Sequence, residues 1–133
     1  MKFRSLLLVP FAALALRADL PPEVQAKIIK VIVSSSGGNK IACGDPALKA
    51  ALEGAGLVVD SGAPIVWSTS AGEAKNLKAF GRLIITDRRE LAGFASIVIQ
   101  DDGGRPKIML NPANLKTAKV QLSDAVMKIA EKI

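Results

Sequence analysis

Residues 40–59, KIACGDPALKAALEGAGLVV, read as strand, turn, helix and strand in immediate succession. Lys40–Cys43 has an apolar strand pattern. Gly44-Asp45-Pro46 then turns the chain. Asp45 stands at a helix N-cap, where a carboxylate accepts otherwise orphaned amides, and Pro46 fills the first helical position, where its missing N–H is not needed. The helix Ala47–Ala55 stops at Gly56, and Leu57-Val58-Val59 reads as the next strand. Two strands bridged by a helix in so little chain form a βαβ unit, the element of a parallel sheet.

Upstream, Pro21-Pro22-Glu23 opens a helix, and Val24, Ile28, Val31 and Ile32 recur at helical spacing until Ser34-Ser35-Ser36-Gly37-Gly38. Downstream, Pro64–Ser68 reads as a strand. Ser70 caps a helix running to about Phe80, with Glu73 three residues on as a capping box and Gly81 as its stop. Leu83–Thr86 is a further strand, and Asp87 again sits where a cap belongs. The pattern then changes. Ser96–Gln100 and Lys107–Leu110 flank Asp101-Asp102-Gly103-Gly104, a hairpin signal. Asn111-Pro112 stops the second strand, and Leu115, Ala118, Leu122, Val126, Ile129 and Ile133 form a helical stripe to the C-terminus. The fold class expected is α/β: a single domain with a mostly parallel sheet flanked by helices, closed by a C-terminal β-hairpin and helix.

The first 18 residues have a different character. Lys2 and Arg4 precede an apolar run from Leu6 to Leu16, the layout of a cleaved secretory signal peptide and too short for a membrane span. Ala13-Leu14-Ala15 and Leu16-Arg17-Ala18 are the two cleavage sites that fit. The expected arrangement is a signal peptide over residues 1–18, a domain over 19–133, and a periplasmic location. Removing Lys2, Arg4 and Arg17 from 18 basic residues leaves 15 against 12 acidic ones, an excess of +3. Those charges are scattered, which argues for a solvated surface and against a nucleic-acid stripe. Cys43 is the single cysteine, so no internal disulfide can form, and its apolar strand context predicts a buried thiol.

The chain has no His and no Tyr, which removes the commonest acid–base residue and every Ser–His or Cys–His nucleophile. A zinc site is equally hard to build, and no cofactor is expected. Ser34–Lys40 superficially suggests a phosphate loop, but it lacks the spacing and leads into a strand. Asp101-Asp102 reads as a solvated hairpin tip. In a parallel sheet, ligands bind at the carboxyl ends of the strands. That rule singles out Asp45, Ser68, Ser70, Asp87, Arg88 and Arg89 as ligand or partner contacts, with the two arginines suited to an anion.

From about Pro22 to Ile133 the order of elements resembles the YfiR-like family of periplasmic regulators. Three stretches carry the resemblance: Ile41–Pro46 with Leu48 and Leu52, Arg82–Asp87, and Lys107–Asn111 followed by Val120–Ser123 and Met127–Ala130. The resemblance implies a non-enzymatic inhibitor that binds the periplasmic part of a membrane diguanylate cyclase, or a similar sensor protein. Members can be sequestered by an outer-membrane lipoprotein, with cyclic di-GMP and biofilm formation downstream. This chain departs from the family in being shorter, in lacking paired cysteines, and in carrying Met109 and Leu110 where an aromatic residue is usual near the Asn.

Such a regulator works through a surface and predicts an exposed apolar patch. The competing reading is a small-ligand, anion-binding module with a crevice near Asp45, Ser68–Ser70 and Asp87–Arg89. An enzyme comes third, for lack of an acid–base pair. A homodimer through strand edges such as the hairpin Ser96–Leu110 is also compatible with the sequence.

Overall fold

The computed structural model describes residues 20–129 and 131–132. The leader, residues 1–18, and Ile133 of the expected C-terminal stripe lie outside them. Helix α1 (Pro22–Ser35) leads into β1 (Lys40–Ile41), α2 (Pro46–Gly54) and β2 (Val58–Val59). After β3 (Ile65–Trp67), α3 (Ala71–Ala79) and β4 (Leu83–Thr86) comes a single 3-10 turn, Arg89–Leu91. The hairpin β5 (Ile97–Asp102) and β6 (Arg105–Leu110) follows, then α4 (Pro112–Thr117), α5 (Asp124–Ile129) and β7 (Glu131–Lys132).

Strands β3, β4 and β5 run parallel, β6 is antiparallel to β5, and β7 is parallel to β6. The parallel pair β1–β2 joins this sheet through Ala42, which bridges Val66 and exchanges backbone bonds with Ile65 and Trp67. The strand order is therefore β2-β1-β3-β4-β5, with β6 and β7 beyond. This is the α/β sheet expected, and β1 and β3 mark the point where its order reverses.

The strands are apolar on both faces because both are covered. Leu83, Ile85, Ile97 and Ile99 point to one side, where they pack in the main core with Ile29, Ile32 and Val33 of α1 and Leu48 and Leu52 of α2. Ile84 and Val98 point to the other, against Ala74 of α3 and Met109. Asp45 caps α2 as expected, its Oδ1 accepting from the amides of Ala47 at 3.0 Å and Leu48 at 3.4 Å. The hairpin turns on Gly103 and Gly104, whose φ values of +63° and +89° suit the two-residue turn that matches strand twist.

Three expectations need correction. In α1 the buried face is Gln25, Ala26, Ile29, Ile32 and Val33, whereas Val31 is 53% exposed. The stripe that includes Ala26 and Ile29 faces the sheet, and Val31 falls on the opposite side. The C-terminal stripe is not one helix: Ala118 is extended, and the amide of Lys119 leaves helical pairing to donate to the Gly81 carbonyl at 2.8 Å. The resulting break separates α4 from α5. Asp87 is not the cap of the 3-10 turn: it accepts from Gln25 Nε2 at 3.3 Å, and the turn begins after Arg88 with no side-chain cap among the described residues. In the hairpin, β5 lies inside the sheet and β7 pairs with β6 at Met109 and Leu110, so among the described residues its edge is residues 105–108 of β6.

Candidate functional site

At the reversal point the chain leaves β1 toward α2 on one side and leaves β3 toward α3 on the other. The two loops diverge, and the space between them is a crevice at the carboxyl ends of the strands. Its smaller lobe, about 190 Å³, is lined by Asp45, Ser68, Ser70 and Glu73 among others. Its larger lobe, about 400 Å³, reaches Cys43, Lys49 and Arg82. Gly44, Trp67 and Glu73 line both lobes and form their seam.

Local chemistry fixes these side chains. Ser70 caps α3, its Oγ accepting the Glu73 amide at 3.4 Å. The Glu73 carboxylate does not return the bond to Ser70, as a complete capping box would. Instead it accepts from Ser68 Oγ at 2.7 Å, and Ser68 Oγ accepts the Ser70 amide at 3.3 Å. The chain has no histidine, so this hydroxyl–carboxylate pair is not part of a Ser–His–acid triad. Arg82 Nη1 donates to the Ser61 carbonyl at 3.0 Å, which holds the guanidinium at the crevice.

Trp67 is 5% exposed and belongs to the main core, yet its indole Nε1 is buried without an acceptor among the described residues. A buried donor left unpaired costs about 1–3 kcal/mol. Cys43 is half-buried, not buried as expected, because it sits past the end of β1 at the rim of the crevice. Burial still pushes its thiol pKa up from the ordinary value, and Sγ donates to the Asp45 carbonyl at 3.7 Å.

Of the six residues singled out by sequence, Asp45, Ser68 and Ser70 come together here. Asp87, Arg88 and Arg89 lie at the end of β4, where Arg88 is exposed and sits 4.0 Å from Glu90. They do not line either lobe. Sequence reading missed Lys49, Arg82, Glu73, Trp67 and Cys43 as lining residues. Lys49 could have been found: it lies one turn after the Asp45 cap and so shares that end of α2. The lining is mixed in sign: Asp45 and Glu73 line the smaller lobe, and Glu73 also lines the larger one beside Lys49 and Arg82. It differs from the pure anion site expected.

Among the described residues no three His, Cys, Asp or Glu side chains converge as metal ligands. Nor is any described helix long and apolar enough to cross a membrane. Among the described residues the large exposed apolar side chains are Val31 on α1, Val58 on β2, Phe80 at the end of α3 and Met127 on α5. No family model, curated relative or solved structure matches the chain.

Proposed function

We propose that this chain is a non-enzymatic periplasmic regulator that binds and represses the periplasmic part of an inner-membrane signalling protein, a diguanylate cyclase. Its effect is to restrain cyclic di-GMP and biofilm formation, and an outer-membrane lipoprotein relieves the repression by sequestering it. The reading rests on the resemblance to the YfiR-like family.

One observation supports it above the others. The stretch Lys107–Asn111, which carries part of the resemblance, is the end of β6 followed by the residue that caps the next helix. Asn111 Oδ1 accepts the Asn114 amide at 3.2 Å to cap α4, and Asn111 Nδ2 donates to the Ala92 carbonyl at 2.9 Å. The other two stretches are likewise strands running into polar turns, at Ile41–Pro46 and Arg82–Asp87.

Co-purification tests the reading. The tagged protein, recovered with detergent-solubilised inner membrane from its own cells, is expected to retain a membrane protein that makes cyclic di-GMP from GTP only once it has been released from the tagged protein. A retained fraction that stays inactive after release contradicts the cyclase partner.

A further inference from the structure

We propose that the crevice between the β1 and β3 loops binds a small zwitterion, a molecule of amino-acid type with an ammonium, a carboxylate and an apolar side group. This inference does not depend on the cyclase reading.

The charge layout sets the class. Asp45 and Glu73 line the smaller lobe, and Lys49 and Arg82 line the larger. A simple anion would meet the two carboxylates, and a simple cation the two basic groups. A zwitterion lying across the seam satisfies both, its ammonium toward Glu73 and its carboxylate toward Lys49 and Arg82. Ser68 holds one Glu73 oxygen at 2.7 Å, while Oε2 carries no hydrogen bond among the described residues. That oxygen accepts the incoming N–H.

A second, independent observation points to a ligand. Trp67 lies at the seam of the two lobes and is 5% exposed, with an indole N–H that finds no acceptor among the described residues. The floor of the larger lobe is apolar, made by Ala42, Val66 and Leu77, which pack together between β1, β3 and α3. It takes the side group. A larger lobe of about 400 Å³ falls within the usual range for small-molecule sites.

The chain carries its own reporters, since it has one Trp and one Cys, and Trp67 and Cys43 both line the larger lobe. L-leucine is the probe. It is compared with 4-methylpentanoate, which lacks the ammonium, and 3-methylbutylamine, which lacks the carboxylate. The purified protein is expected to show a saturable change in Trp67 fluorescence with L-leucine and slower alkylation of Cys43 at mildly alkaline pH. Each analogue should bind about tenfold more weakly. Glu73→Gln, which keeps the Ser68 bond, and Lys49→Gln, at an exposed helix position, should each weaken L-leucine by about tenfold without lowering the ligand-free melting temperature. Three results would overturn the proposal. One is no saturable response up to about 10 mM. Another is equal binding of L-leucine and either analogue. The third is a fluorescence change that leaves Cys43 alkylation unaltered, which puts the ligand elsewhere.

Discussion

Asn114 donates through Nδ2 to the carbonyl oxygen of Ala95 at 2.8 Å, and the same amide reaches the Gly93 carbonyl at 3.1 Å. One side chain on α4 thus satisfies two backbone acceptors in the loop that feeds β5. It is 5% exposed, so water does not readily replace it. Asn114→Leu leaves both carbonyls without this donor and is expected to cost about 2 kcal/mol. Asn114→Asp should cost more, because an ionised carboxylate cannot donate and faces two carbonyl oxygens. Urea unfolding midpoints of the two variants check both the size and the order.

Asp45 both caps α2 and lines the crevice. Asp45→Asn keeps an acceptor for the Ala47 and Leu48 amides and should leave stability nearly unchanged, while Asp45→Ala should cost about 1 kcal/mol. Thermal denaturation of the pair separates the cap from any ligand role, because only the ligand role distinguishes Asn from Asp.

The Cys43 thiol has a raised pKa, chiefly from burial. The folded state therefore keeps its proton to higher pH than the unfolded chain does. Its contribution to stability is fully present below the ordinary value of 9.0 and is lost as pH rises through the higher folded value. Cys43→Ser, which removes this titration near pH 9, should differ in slope from the parent in a stability–pH profile only above about pH 8.5. An identical slope there contradicts the burial argument. At neutral pH, alkylation of the folded protein should be slower than that of the urea-unfolded protein.

Phe80, at the end of α3, is 72% exposed. Replacing it by Glu should change stability by less than about 0.5 kcal/mol. If α3 meets the cyclase, Phe80→Glu weakens repression while the protein remains folded and exported. Circular dichroism beside cellular cyclic di-GMP reads the two effects separately.

What the sequence made legible was whatever local chemistry decides. Asp45-Pro46 fixed the start of α2, Ser70 the start of α3, and Gly103-Gly104 the hairpin, because caps and positive-φ turns depend on a few adjacent residues. What it hid was set by distant partners. Val31 has the periodicity of a core residue, but which face of α1 turns inward depends on the sheet beneath it. Asp87 looks like a cap, but it is engaged by Gln25, 62 positions away. Lys119 bonds to Gly81 across the fold and ends a helix that apolar spacing alone would continue. The same division holds at the site. Asp45, Ser68 and Ser70 follow from the rule about strand ends, whereas Arg82 enters from the start of β4, which that rule does not reach.

The measurement that bears most directly on the proposed function is cellular cyclic di-GMP in a strain lacking this protein, against the same strain complemented. A periplasmic brake on a cyclase predicts a rise on deletion, reversed by the full chain and not by a form lacking residues 1–18. Unchanged cyclic di-GMP, or equal rescue by the form without the leader, would contradict it.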